Sequence, residues 1–178
     1  MDNCKLYFIF YCCIKVLCDL HANDILEFSS RCMGTEFKIL IDHDSEENSA
    51  AAAKAAFEEA RRLNLIFSDY NAESELSQLS NSSYCNRNVK LSDELFEVLE
   101  FSKSLSFRTS GAFDPTLGQL SRLWRISRFQ KSLPTENKIQ IAMNRVGCQH
   151  LLLNKSQKKA TLLKPGIILD LGGIAKGY

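Results

Sequence analysis

Residues 110–116, Ser-Gly-Ala-Phe-Asp-Pro-Thr, constrain the fold more than any other part of the chain. Gly111 allows backbone angles that other residues rarely adopt. Pro115 fixes its own φ and moves Asp114 out of the helical region. The stretch therefore predicts a rigid loop, and two interpretations of it remain open. It caps the next helix through Asp114 or Thr116, or it presents a carboxylate beside an aromatic ring, as a flavin or nucleotide site requires.

Residues 166–178, Gly-Ile-Ile-Leu-Asp-Leu-Gly-Gly-Ile-Ala-Lys-Gly-Tyr, form the second unusual stretch. Residues 167–169 predict a buried strand, which leads into a glycine-rich turn with an acid before it and a lysine behind it. Backbone N–H groups converge in such a turn, so it is a good cradle for phosphate. It is not a P-loop, because Lys176 precedes Gly177 and a tyrosine follows, whereas that motif requires Gly-Lys and then Ser or Thr.

Four motifs in this chain occur in the order in which the ApbE family of FAD:protein FMN transferases has them. The chain resembles that family from about Ser30 onward. The motifs are Met-Gly-Thr at 33–35, Ser-Asp-Tyr at 68–70 with Ser-Glu-Leu-Ser at 74–77, Gly-Ala-Phe-Asp-Pro-Thr at 111–116 with Trp124, and Asp-Leu-Gly-Gly-Ile-Ala-Lys-Gly-Tyr at 170–178. No single motif is specific to this family, but the occurrence of all four in the same order is.

The resemblance implies an α+β fold that binds FAD in a cleft. With Mg²⁺, such a protein moves FMN from FAD to a threonine of an acceptor protein and releases AMP. Residues that match flavin-nucleotide positions of the family are Met33, Tyr70, Ala112, Phe113, Asp114, Asp170 and Lys176. Gly173 matches the position whose main-chain oxygen binds the metal. The resemblance assigns no catalytic residue.

The family continues well beyond the Lys-Gly-Tyr segment, with a further half that carries acidic and threonine metal ligands. We therefore expect residues 23–178 to be the N-terminal part of an ApbE-like domain, with the fold incomplete at the C-terminus. Two functions remain open on this basis. The chain is an FMN transferase that needs a second half, or it is a non-catalytic remnant that binds a flavin nucleotide.

The N-terminal stretch, residues 5–18, is apolar except for Lys5 and Lys15. It is too short and too interrupted for a membrane span. It fits the apolar region of a signal peptide over residues 1–22, with cleavage after Ala22. An ordinary apolar N-terminal strand is the alternative. The favoured interpretation predicts an exported protein, periplasmic or associated with the inner membrane.

Length and composition indicate the number of domains and exclude several kinds of partner and metal site. At 178 residues the chain suits one domain with a real core. The 22 basic and 21 acidic residues are balanced, so no nucleic-acid partner is expected. The seven cysteines show no C-x-x-C spacing, so the sequence indicates neither a zinc site nor a disulfide framework.

Local patterns predict several elements. Alternation at Phe37, Ile39 and Ile41 predicts a strand, and an alanine run predicts a helix from about Ser49 to Asn64. Ser92 is a good N-cap for a second helix. Its inward-facing residues are predicted to be Leu95, Val98, Leu99, Phe101 and Leu105. Residues 150–154 and 160–163 predict a hairpin.

A run of basic residues follows the loop of residues 110–116. It consists of Arg122, Arg125, Arg128 and Lys131. These side chains face an anionic nucleotide, or they are the solvated end of a helix. The sequence favours the solvated helix end.

Overall fold

The computed structural model describes residues 25–32, 35–42 and 45–178. Contacts divide the chain into two compact units, with the division between Arg61 and Arg62. The signal peptide predicted for residues 1–22 and the predicted site residue Met33 lie outside the described residues. Among the residues that are described, no helix combines the length and the apolar character that crossing a membrane requires.

The first unit contains an antiparallel pair of strands, β1 (Ile25–Cys32) and β2 (Thr35–Asp42). Phe37, Ile39 and Ile41 are half-buried and alternate with exposed neighbours, which confirms the predicted strand. Phe28 of β1 lies opposite Ile39. Apolar side chains on directly paired residues stabilise the ladder between the two strands.

Helix α1 (Glu46–Phe67) confirms the predicted alanine-rich helix and extends three residues beyond each predicted end. Glu46 and Glu47 lie in its first turn, where carboxylates interact favourably with the positive end of the helix dipole. Ala53 and Phe57, four residues apart, are buried and lie on the inner face of this helix.

The second unit combines helices with a small sheet. Its elements are α2 (Glu75–Leu79), β3 (Val89–Lys90), α3 (Asp93–Arg108), α4 (Gly118–Gln130), α5 (Glu136–Met143), β4 (Leu151–Asn154) and β5 (Lys159–Leu162). The sheet has the order β3-β5-β4 with antiparallel pairing throughout. Strands β4 and β5 confirm the predicted hairpin to within a residue or so. The architecture is α+β, as expected.

Helix α3 begins as predicted, because the side-chain oxygen of Ser92 accepts the backbone N–H of Leu95 at 3.2 Å. Leu95 and Leu99 are fully buried, but the prediction for Phe101 is wrong, since its side chain is 54% exposed. Two residues along a helix correspond to a rotation of about 200°, so Phe101 cannot share the inner face with Leu99.

The strand predicted for residues 167–169 is wrong, although the predicted burial is right. Ile167 and Leu169 are fully buried, but the segment makes only an isolated parallel bridge between Ile168 and Leu117. Its backbone groups bond elsewhere. The carbonyl of Ile168 accepts the N–H of Gly118 at 3.0 Å, and the N–H of Leu169 donates to Ser80 Oγ at 3.0 Å. The segment is therefore a buried extended connection that is fixed by loops and a helix start.

Candidate functional site

The loop at 110–116 is held in place by the Asp114 side chain. Asp114 Oδ1 accepts the backbone N–H of Thr116 at 2.8 Å and its hydroxyl at 2.6 Å. Asp114 Oδ2 accepts the N–H of Cys148 at 3.1 Å. The buried Thr116 hydroxyl accepts the N–H of Gly147 at 2.7 Å. Asp114 and Thr116 therefore join this loop to the 3-10 turn Cys148–His150.

The first interpretation of this loop is wrong in its detail. Residue Leu117 occupies the N-cap position of α4, and no side chain makes a cap hydrogen bond there. The turn into the loop instead needs left-handed backbone at Ser110 (φ 53°) and Gly111 (φ 83°). Glycine adopts positive φ at no steric cost, which explains the glycine at position 111.

The loop meets the glycine-rich turn of residues 170–178 in space. A Cβ on Gly173 would lie 3.4 Å from Phe113 Cε2, and the N–H of Asp170 donates to the carbonyl of Pro115 at 2.8 Å. Ala112 is exposed beside the half-buried Phe113. The structure therefore brings two of the predicted motifs together, although they are more than 50 residues apart in the chain.

The turn after Asp170 is formed by its own carboxylate. Asp170 Oδ1 accepts the N–H of Gly172 at 2.8 Å. A 3-10 turn (Ala175–Gly177) follows, and it carries the exposed Lys176.

The loop that carries Asp69 and Tyr70 is fixed by α2. The hydroxyls of Ser74 and Ser77 both donate to the carbonyl of Ser68, the latter at 3.0 Å. The Ser74 oxygen also accepts the N–H of Ser77 and so caps α2. Tyr70 remains 73% exposed at the end of this braced loop. Its ring is therefore available to a ligand.

Arg125 of α4 connects the Tyr70 loop to Asp170. Its Nη2 forms an ion pair with Asp69 Oδ2 and a second one, at 3.3 Å, with Asp170 Oδ2. The guanidinium carbon lies 4.1 Å from the centroid of the Tyr70 ring, a cation–π distance. The three charged side chains are 7–20% exposed. One arginine therefore fixes two of the predicted site residues.

Burial lowers the pKa of the Arg125 guanidinium. The hydrogen bond to Asp69 and the electrostatic interactions with Asp69, Tyr70 and Asp170 outweigh this effect and raise the pKa above its ordinary value. Arg125 therefore keeps its charge, and with two carboxylates around it that charge is fully compensated.

A cleft of about 620 Å³ opens beside this cluster. It is lined by Asp69, Tyr70, Ala72, Ser77, Ser80, Asn81, Arg122, Arg125, Ile126 and Ile168. Of the predicted site residues that the structure describes, Tyr70 lines it directly, and Asp170 is connected to it through Arg125. Ala112, Phe113, Asp114, Gly173 and Lys176 are not among its lining residues.

Sequence reasoning missed Asp69, Arg122 and Arg125 as site residues. The interpretation of the basic residues as a solvated helix end is wrong for Arg125, whose side chain is 20% exposed, and for Arg122, which is half-buried. It is right for Arg128 and Lys131, which are exposed. The sequence did contain a signal, because Arg122 and Arg125 are three residues apart and therefore lie on the same face of a helix. That spacing could not show which face meets the Ser-Asp-Tyr loop.

The described residues do not fit a magnesium site by themselves. Mg²⁺ requires about six oxygens in near-octahedral geometry. Within 25–32, 35–42 and 45–178, no group of three or more His, Cys, Asp or Glu side chains is placed to hold a metal ion. The oxygens of Asp170, the acid nearest Gly173, already accept hydrogen bonds from Gly172 and Arg125. The metal role of Gly173 stays a prediction.

Comparison with known proteins gives consistent matches. The family model described as "ApbE family" matches residues 33–178. The FAD:protein FMN transferase of Klebsiella pneumoniae is 28% identical over 157 residues, which are 88% of this chain and 48% of that protein. That of Chlamydia muridarum is 34% identical over 117 residues, 65% of this chain and 36% of that protein.

The same likeness appears in a solved structure. The crystal structure of the ApbE protein of Thermotoga maritima matches with a TM-score of 0.74 at 27% identity, over 87% of this chain and 50% of that one. The described fold is therefore that of the matching part of such proteins. The chain spans about half the length of the curated relatives it matches.

Proposed function

This chain belongs to the ApbE family, and we propose that it forms the flavin-nucleotide-binding part of an FAD:protein FMN transferase. The reaction transfers FMN from FAD to a threonine hydroxyl of an acceptor protein. The threonine oxygen forms a bond to the FMN phosphorus, the bond from that phosphorus to the bridging oxygen of the pyrophosphate breaks, AMP leaves, and the hydroxyl proton is lost.

The observation that carries this proposal is the link that Arg125 makes between Tyr70 and Asp170 at the edge of the cleft. The family resemblance independently assigns these two residues to the flavin nucleotide. The cleft volume of about 620 Å³ lies within the range of small-molecule sites. An exposed tyrosine with a cation behind it suits stacking by a flat aromatic ligand.

The other predicted site residues support binding through backbone geometry. Asp114 fixes the loop that carries Ala112 and Phe113, and the half-buried Phe113 packs beside Gly173. A glycine at that position lets a ligand approach the backbone of the turn closely. These residues therefore shape and orient the site. Lys176, which follows Gly173 closely in the sequence, supplies an exposed ammonium group.

Binding is tested with fluorescence titration of FAD into the purified protein. Tyr70→Ala should weaken binding about tenfold, because it removes an aromatic contact of about 1–1.5 kcal/mol. Tyr84→Ala is the matched control, because Tyr84 is also accessible and does not line the cleft. Equal FAD affinities for the wild type and Tyr70→Ala would contradict the site assignment.

We also propose that these 178 residues do not transfer FMN without further metal ligands. In phosphoryl transfer, a bound Mg²⁺ supplies charge neutralisation on the pyrophosphate, and no group of three or more His, Cys, Asp or Glu side chains among the described residues is placed to hold it. The largely exposed Phe107, Phe129 and Leu133 support the presence of a further polypeptide surface that covers them.

The catalytic proposal is tested by in-gel flavin fluorescence of an acceptor protein after incubation with FAD and Mg²⁺. Labelling should require co-expression or fusion of a second half that carries carboxylate ligands. Robust Mg²⁺-dependent labelling by the 178 residues alone would contradict this expectation. Binding of FAD with no labelling under either condition would favour the alternative, a non-catalytic flavin-nucleotide-binding protein.

We further propose that residues 1–22 direct export, on the basis of the apolar run from Leu6 to Cys18. A reporter fused after Asp24 should leave the cytoplasm and lose the leader. An intact leader on a reporter that stays in the cytosol would contradict export.

A further inference from the structure

The four basic residues of α4 and its C-cap have different surroundings. Arg125 lies between two carboxylates, so its charge is compensated. Arg128 and Lys131 are exposed and do not line the cleft. Arg122 is the remaining one. It lines the cleft, and no described acidic side chain forms an ion pair with it.

Among the residues that the structure describes, the Arg122 side chain makes one hydrogen bond, which orients its guanidinium. Its Nη2 donates to the backbone carbonyl of Asp69 at 2.8 Å. A guanidinium has five N–H donors, so four have no partner within the described part of the chain and can bind a ligand. Two of them in parallel are suited to a phosphate or a carboxylate.

The surroundings of Arg122 indicate which ligand suits the cleft. The carbonyl that Arg122 contacts belongs to the residue immediately before Tyr70, so the guanidinium lies next to the backbone that carries the exposed ring. Ile126 and Ile168 add apolar surface. Asn81 uses its side-chain oxygen for Ser83, which leaves its amide N–H groups as further donors. An aromatic ring, apolar side chains and donors that have no partner among the described residues together suit a phosphorylated heterocycle.

We propose that Arg122 is the anion-binding residue of the cleft and that it contacts a phosphate of the nucleotide whose ring packs on Tyr70. This proposal rests on the proposed flavin-nucleotide function. The charges of Asp69, Asp170, Arg122 and Arg125 sum to zero, so attraction comes from direct contact and not from a broad positive field. The effect of removing Arg122 is therefore confined to ligands that carry a phosphate.

The test compares three probes on the full chain: riboflavin, which has no phosphate, FMN and AMP. Arg122→Gln should weaken FMN or AMP binding about tenfold, as expected for loss of one hydrogen bond between charged groups, and change riboflavin binding less than about twofold. Arg122→Lys should recover part of the loss, because it restores the charge without the fork geometry. Arg128→Gln removes an equal charge from the same helix outside the cleft and should leave all three affinities unchanged.

The outcomes separate this inference from the proposed function. A loss for FMN alone assigns the contact to the flavin half of FAD, and a loss for AMP alone assigns it to the adenylate half. Either result supports the inference. If neither FMN nor AMP binding depends on Arg122, or if the loss is as large for riboflavin as for FMN, the inference is overturned and the proposed function is left standing. If AMP binds in an Arg122-dependent manner but no flavin binds, the proposed function is overturned and the role of Arg122 in binding a phosphate is supported. If no probe binds to the wild type, the inference and the proposed function are both overturned.

Discussion

Replacing Arg125 with glutamine should destabilise the second unit strongly, because it leaves two carboxylates without their shared cation. Asp69 is 7% exposed and Asp170 is 19% exposed. Removing one partner of a buried ion pair costs about 3–5 kcal/mol, since the remaining charge stays desolvated. Here two charges would remain, and they would also repel each other.

Three corrections set the magnitude. Arg125 is 20% exposed, so water partly solvates the site, and the lower end of that range, about 3 kcal/mol, applies. Loss of the cation–π contact with Tyr70 adds about 0.5–1 kcal/mol. A glutamine amide that donates to Asp69 recovers about 1 kcal/mol. The expected loss in the free energy of unfolding is therefore about 3 kcal/mol.

The assay is denaturant unfolding at neutral pH, with Lys155→Gln as the matched control. Lys155 pairs with Glu100 at 3.1 Å, but these side chains are 81% and 45% exposed. Breaking an exposed pair should cost less than about 1 kcal/mol. A double variant, Asp69→Asn with Arg125→Gln, should lose less than the sum of the two single variants. If Arg125→Gln cost no more than Lys155→Gln, the conclusion that a desolvated cluster organises this site would be refuted.

Three further predictions concern the packing around the site. Gly118→Ala should cost about 2–3 kcal/mol in denaturant unfolding, because a Cβ there would lie 2.5 Å from the carbonyl oxygen of Ile168, whereas Gly177→Ala meets no atom within 4 Å and should be nearly neutral. Asp114→Asn should cost about 1–3 kcal/mol in the same assay, since its amide would face the N–H of Cys148, a donor against a donor. An unchanged unfolding midpoint would contradict the conclusion that Asp114 holds the loop to the 3-10 turn Cys148–His150. Burial raises the pKa of the Cys148 thiol above its ordinary value of 9.0. As the pH rises, the thiol therefore ionises first in the unfolded state. The contribution of this group to the free energy of unfolding should be fully present below pH 9.0 and decrease above it. Cys148→Ala should flatten this alkaline loss in urea unfolding at about pH 8 and about pH 10, and parallel pH profiles would contradict the argument.

The sequence alone determined the features that depend on a few neighbouring residues. Ser92 caps α3 because an N-cap hydrogen bond closes within three residues. Alternation defined β2, and the positive φ at Gly111 follows from the need for a tight loop before Asp114. The order of four motifs was also sufficient to indicate the family, since the motifs are local patterns that can be read one at a time.

The tertiary structure alone decided where each polar group finds its partner. Arg125 was one basic residue among four in the sequence, and its partners Asp69 and Asp170 are 56 and 45 residues away. Residues 167–169 had the composition of a strand, but their backbone groups bond to Gly118 and Ser80. Charge and hydropathy belong to the residue, whereas the free energy of a charge depends on its distance to other charges and to water. That distance is set only when the chain has folded, which is why the sequence identified the motifs and the structure identified the arginines that act between them.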